Sequence, residues 1–187
     1  MSPARDPAHF EALYAASPDP WNFETSSYEA EKYAATLAAL RTRRFASGFE
    51  VGCSIGVLTA RLATVCDALL AVDIVPRALA AARLRNQDAH HVTFQQRTIP
   101  DQWPGQTFDL IILSEVLYFL DAAEIARTAD LAHASLAPGG LVLLVNYRGP
   151  IDEPLDGEAA AQLFTARFGA SEHVLQRAPG FRLDCLS

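Results

Sequence analysis

Apolar residues recur along this chain at two periods that take turns. From Glu29, the residues Ala30, Tyr33, Ala34, Leu37 and Ala38 fall at three- and four-residue steps, with Glu31, Lys32 and Thr36 on other faces, which predicts an amphipathic helix. Phe45 to Val51 is a short apolar segment ending at Gly52, and Val57 to Val65 returns to helical spacing through Leu58, Leu62 and Val65. The pattern then repeats. Ala68 to Val72 reads as a buried strand closed by Asp73, and Pro76 to Arg85 as a helix with proline in its favoured first turn. These segments form a βαβ unit.

Val92 to Gln96 predicts a third strand, and Phe108 to Leu113 is a near-continuous apolar run of the kind central parallel strands show, each with helices on both sides. Ala122 to Leu136 predicts a long helix stopped by Pro138-Gly139-Gly140, with a fifth strand over Leu141 to Val145. A loop from Arg148 to Asp156 leads to a helix near Glu158 to Phe168. Glu172 to Arg177 and Phe181 to Cys185 predict a closing antiparallel pair around Pro179-Gly180. Upstream, Met1 to Ser27 is interrupted by prolines, ends near Asp19-Pro20-Trp21, and reads as an irregular arm whose aromatic residues dock on the rest. Strands and helices in this order predict an α/β, Rossmann-like, doubly wound sheet with its ligand site at the carboxyl ends of the strands.

Composition narrows the picture. The 187 residues, half of them hydrophobic, suit one domain over 1–187: an N-terminal arm and helix over 1–40 covering the ligand site, and a core over 41–187. A net charge of −7 and scattered arginines argue against nucleic acid as a partner. Cys53, Cys66 and Cys185 share no metal-type spacing and are odd in number, so neither a disulfide framework nor a metal site is expected. The N-terminus has no apolar core of a signal sequence and no run is long enough to span a bilayer, so no membrane association and a cytoplasmic location are expected.

The densest chemistry lies in Glu50-Val51-Gly52-Cys53-Ser54-Ile55-Gly56, where the first strand turns into a helix. Gly52 and Gly56 can take conformations a Cβ resists, and amides at the helix start favour an anionic or strongly polar group. A dinucleotide site wants G-x-G-x-x-G, and this chain offers Gly52, Ser54 and Val57 at those places, so the fingerprint fails at two of three glycines. The segment instead resembles the E-x-G-x-G-x-G motif of class I methyltransferases, with Ser54 as the departure. In that motif the carboxylate attracts the aminoacyl ammonium of S-adenosylmethionine. Asp73, about twenty residues after the turn, is placed to accept ribose hydroxyls, or simply to cap the helix at Pro76. Ile74 would pack on the adenine face. Thr98 and Ile99 stand where such enzymes often carry an acidic residue for the adenine amino group, so a hydroxyl or a backbone carbonyl has to serve there.

Asp19-Pro20-Trp21, Tyr28-Glu29, Lys32-Tyr33, the turn from Glu50 through Gly56-Val57-Leu58-Thr59, and Leu113-Ser114-Glu115-Val116 together resemble the nodulation protein S (NodS) methyltransferases across nearly the whole chain. The resemblance implies a seven-stranded, mostly parallel class I fold. It also implies S-adenosylmethionine as methyl donor, S-adenosylhomocysteine as product, and a glucosamine amine of a deacetylated chitooligosaccharide as acceptor. In that family the arm folds over the cofactor, which assigns Trp21 and Tyr28 to closing the pocket and adds Cys53 and Ser114 to its lining. Methyl transfer is a direct displacement that needs alignment and exclusion of water rather than a metal. Glu115 and Tyr118, after the fourth strand, are the candidates for orienting an amine or taking its proton; otherwise Glu115 is a cap and Tyr118 core. Asn146, Tyr147 and Arg148 would form a wall of an acceptor cleft open enough for a glycan. His90-His91 precedes the third strand and reads as an exposed turn, and Cys53 as a buried small apolar residue. Three alternatives stay open: O-methylation of a small hydroxylated metabolite, a nicotinamide-dependent oxidoreductase, and a non-catalytic binding subunit. The chain is expected to be a monomer or homodimer.

Overall fold

The computed structural model describes residues 7–41, 43–169 and 174–187. Its centre is a seven-stranded sheet in the order β3-β2-β1-β4-β5-β7-β6. The strands β1 (Gly48–Val51), β2 (Leu69–Asp73), β3 (Val92–Gln96), β4 (Phe108–Ser114) and β5 (Leu136–Tyr147) are parallel, and β7 (Phe181–Leu186) runs antiparallel between β5 and β6 (Val174–Arg177). This is the mostly parallel, Rossmann-like sheet of class I methyltransferases. Strand order reverses at the β1–β4 pair, so the loops leaving β1 and β4 diverge there and open a crevice at their carboxyl ends.

Side chains alternate along the strands between two cores, which explains why the central strands read as continuous apolar runs. Val51, Leu70, Val72, Ile111, Leu113, Val142 and Leu144 pack beneath α5 (Ala122–Ser135) and α6 (Gly157–Phe168). Leu69, Leu110, Ile112, Leu143 and Val145 pack on the other face, with Tyr33 of α2 (Ser27–Ala39) and Leu58 and Leu62 of α3 (Val57–Leu62). Between β2 and β3, α4 (Pro76–Arg85) opens on Pro76, as its sequence predicts. A capping box of Asp121 and Glu124 starts α5.

Several expectations need correction. The arm is not irregular throughout: α1 (Pro7–Ala16) is helical, because Pro7 falls in the first turn where no N–H is needed, and Phe10 and Tyr14 share one face. The helix α2 is rotated from its apolar period. Ala30, Ala34 and Ala38 are exposed, whereas Glu29, Lys32, Tyr33 and Thr36 are buried. β3 is a half-exposed edge strand, since residues 97–107 reach β4 through turns without a covering helix, and a groove lined by Leu69, Thr93, Gln95 and Pro104 lies there. β5 starts at Leu136 rather than Leu141, because Pro138-Gly139-Gly140 is absorbed by a register shift against β4. The expected start of the last strand pair, Glu172 and His173, lies outside the described residues. Among those residues no helix is long and apolar enough to cross a membrane.

Candidate active site

The turn after β1 owes its shape to left-handed backbone. Gly52, Ser54 and Gly56 have φ of 76°, 49° and 78°. A Cβ at Gly52 would lie 2.3 Å from Val116 Cγ1, so the turn touches the segment after β4 and only glycine fits. Ser54 holds its strained conformation through two contacts. Its N–H donates to Asp73 Oδ2 at 2.8 Å, and its hydroxyl bonds the Tyr14 hydroxyl of α1. Asp73 Oδ1 accepts from Val75 N–H at 2.9 Å, and burial pushes the Asp73 acid above the usual carboxylate range. One aspartate therefore ties the glycine turn to the end of β2.

Glu50, next to this turn, is 1% exposed and accepts from the Thr59 hydroxyl at 2.6 Å. Among the described residues no cation pairs with it, and burial pushes its acid up to about 7. A folded-state value above the unfolded one means the folded chain holds the proton more tightly. Its stabilising contribution is full below about 4.5 and is lost as pH rises through about 7. Relative to Glu50→Gln, the wild-type chain is expected to lose on the order of 3 kcal/mol between about pH 4 and pH 8. Urea unfolding of both chains at the two pH values checks this; curves that shift in parallel would contradict it.

After β4, Glu115 again has left-handed backbone, at φ 57°, and its N–H donates to Val145 O at 2.6 Å. Its carboxylate is held from α2: Tyr28 Oη donates to Oε1 at 2.5 Å, and Lys32 Nζ lies 2.8 Å from Oε2. Tyr118, in the short 3₁₀ turn Leu117–Phe119, is buried in the core beneath α5 and α6, and burial raises its phenol above the ordinary range. Of the two candidate proton acceptors, Glu115 is thus the one held by polar contacts. Ser114 ends β4 half-buried.

Trp21 is 39% exposed and its ring meets Tyr14 and Phe23, which themselves pack with Ile55, Ile74 and Val75, so Tyr14 and Phe23 lie over the glycine turn and the end of β2 with Trp21 outside them. Tyr28 lies one element further on, with its ring against Tyr147 and Phe181. Ile99 packs on the core beneath α5 and α6, while Thr98 is exposed and its N–H donates to Gln102. Cys53 is buried, which pushes its thiol up and makes it a poor nucleophile. His91 is exposed at the start of β3, bonded to Ala63 O, at the opposite end of the sheet. At the end of β5, Asn146 is fully buried with neither amide atom partnered, and Arg148 donates to Ala178 O and faces Glu158.

Sequence reasoning missed Tyr14, Glu29, Lys32 and Thr59 as parts of this constellation. Only the i,i+3 spacing of Glu29 and Lys32 signals a pair locally. The arrangement brings together a left-handed backbone turn at Gly52, Ser54 and Gly56, a buried acid at Glu50 that no cation meets among the described residues, two amide contacts at Asp73, and a fixed carboxylate at Glu115.

Known proteins share this layout. The nodulation protein S (NodS) family model matches residues 11–144. Nodulation protein S of Bradyrhizobium diazoefficiens is 33% identical over 161 residues, 85% of this chain and 77% of that protein. The Sinorhizobium fredii protein of the same name is 35% identical over 127 residues, 67% of this chain and 59% of its own length. The crystal structure of N-methyltransferase NodS from Bradyrhizobium japonicum WM9, in complex with S-adenosyl-L-homocysteine, superposes with a TM-score of 0.81 at 26% identity, covering 95% of this chain and 96% of that one. By fold, by family match and by identity over most of its length, this chain belongs to the nodulation protein S family of methyltransferases.

Proposed function

We propose that this chain is an S-adenosylmethionine-dependent N-methyltransferase acting on the amine of an amino sugar or oligosaccharide. The reading is carried by one conjunction: a glycine cradle with buried Glu50 and Asp73 at the ends of β1 and β2, and a held carboxylate, Glu115, at the end of β4. The residues fit the nucleoside ligand. Glu50 is a buried acid lacking a cation, which suits an aminoacyl ammonium, and each Asp73 oxygen, after accepting one amide, keeps a lone pair for a ribose hydroxyl. The left-handed backbone of the turn from Gly52 to Gly56 runs along the ligand, Ile74 and Ile99 offer apolar contact for a base, and α1 with Trp21 covers the turn.

When bound, S-adenosylmethionine supplies an electrophilic methyl group on sulfur, and the bond to sulfur breaks with its electron pair staying on sulfur as the acceptor's lone pair attacks. The protein's part is to exclude water and to orient the nucleophile. Glu115 accepts the proton that the newly methylated nitrogen releases, its own oxygens kept in place by Tyr28 and Lys32. The wall of Asn146, Tyr147 and Arg148 borders the acceptor. The Bradyrhizobium japonicum relative is an N-methyltransferase, which supports nitrogen over oxygen as the atom methylated. Incubating the protein with S-adenosylmethionine and either partly deacetylated chitooligosaccharides or fully acetylated ones tests this by mass spectrometry. Methylation of only the free-amine oligomer is expected; methylation of both, or of neither, contradicts the amine reading.

A further inference from the structure

The buried face of α2 runs against the helix's own composition. Ala30, Ala34 and Ala38 point outward, while Glu29, Lys32 and Thr36 are 3%, 1% and 0% exposed. Lys32 Nζ lies 2.9 Å from Glu29 and 2.8 Å from Glu115 Oε2, and 5.1 Å and 5.3 Å from the ring centroids of Tyr28 and Tyr33. A buried ion pair often adds no stability over apolar residues of similar volume. A helix that needed only to pack would carry apolar side chains at these three buried positions as it does at Tyr33.

What this arrangement does secure is one carboxylate. Both oxygens of Glu115 are held from α2, by Tyr28 and by Lys32, and its backbone is pinned to β5 in a left-handed conformation. The charged and titratable neighbours of this group come from every surrounding element. Tyr28, Glu29 and Tyr33 on α2 and Tyr118 after β4 face it directly, with Glu50 of β1 and Arg61 of α3 next to Tyr33, and Tyr147 of β5 and Glu153 of the following loop next to Tyr118. Glu29, Lys32 and Glu115 sum to one negative charge. The lysine can therefore lock Glu115 without turning the site positive, which suits a reaction whose nitrogen product is a cation.

We propose that Lys32 is a positioning residue for the transfer, fixing the Glu115 carboxylate so that it receives the proton leaving the methylated nitrogen; this rests on the amine reading above. Lys32 touches neither donor nor acceptor and acts through Glu115.

The test compares Lys32→Met with Thr36→Val, which removes a different buried polar group from the same helix face, a hydroxyl that donates to the Lys32 carbonyl. Each full-length protein is assayed with S-adenosylmethionine and partly deacetylated chitooligosaccharide, titrated with S-adenosylhomocysteine, and melted. Lys32→Met is expected to lower kcat by about 30-fold or more, with S-adenosylhomocysteine affinity and the acceptor KM within about threefold of wild type. Thr36→Val is expected to keep kcat, and Lys32→Arg to regain part of what Lys32→Met loses. If the Met chain does not fold, Lys32→Gln serves the same comparison. A kcat within about threefold of wild type in Lys32→Met, or equal kcat losses in Lys32→Met and Thr36→Val that follow their melting temperatures, overturns the proposal. Wild-type turnover on hydroxyl acceptors alone overturns the amine reading instead, and the same variants on that acceptor then decide the role of Lys32. No turnover on any acceptor contradicts both.

Discussion

Asp73→Ala is expected to weaken S-adenosylhomocysteine binding by roughly 100-fold or more, the largest single loss at the cofactor end of the site. Two effects combine. The substitution removes a carboxylate able to accept ribose hydroxyls, and hydrogen bonds to a charged partner are worth about 1.5–3 kcal/mol each, so losing two accounts for about 3 kcal/mol or more. It also frees the Ser54 amide, now tied at 2.8 Å, and the Val75 amide, at 2.9 Å, so the left-handed turn loses the contact that holds it. Asp73→Asn is expected to rescue only in part, because its Oδ1 can accept from one of the two amides while its NH₂ opposes the other N–H. Isothermal titration reads the result, and an Asp73→Ala affinity within about threefold of wild type would mean that Asp73 only caps α4.

The second large effect is on turnover. Glu115→Gln is expected to lower kcat by roughly 100-fold or more while leaving S-adenosylhomocysteine affinity within a few-fold, because a positioned proton acceptor contributes on that scale. The amide still accepts from Tyr28 through its oxygen. Its NH₂ then faces the Lys32 ammonium, donor against donor, where a carboxylate oxygen stood at 2.8 Å. Lys32 keeps Glu29 as partner, so the stability cost is expected to be about 1–3 kcal/mol rather than that of an unpaired buried charge. Steady-state kinetics with urea unfolding checks both halves. A kcat within about threefold of wild type would remove Glu115 from proton transfer and leave it as the anchor of α2.

Much of the fold was readable from periodicity. Pro76 marks the start of α4, and the apolar runs of the central strands follow from burial on both faces of the sheet. Their order alone places the glycine turn and Asp73 side by side, at the ends of neighbouring parallel strands. Reading stopped where the physics is no longer local. Periodicity assumes that the apolar side of a helix faces inward, and α2 departs from that rule at Glu29, Lys32 and Thr36, beside the Glu115 carboxylate that Lys32 meets. Tyr28 and Glu115 meet across 87 positions of sequence, a pairing no window along the chain can register. The helix α1 was hidden for a different reason, since prolines near an N-terminus suggest irregular chain although Pro7 sits where a helix tolerates it. Lys32 was in view as part of a family signature, yet its burial between two carboxylates depends on β4 ending opposite α2.

The turn from Glu50 to Gly56, closed by Asp73, is built for an S-adenosyl ligand rather than a dinucleotide. The most direct measurement is isothermal titration of the wild-type protein with S-adenosylhomocysteine and, in the same session, with NAD and NADP. Saturable binding of S-adenosylhomocysteine alone is the predicted result. Binding of a nicotinamide dinucleotide in its place, or no binding of S-adenosylhomocysteine, would contradict the account at its foundation.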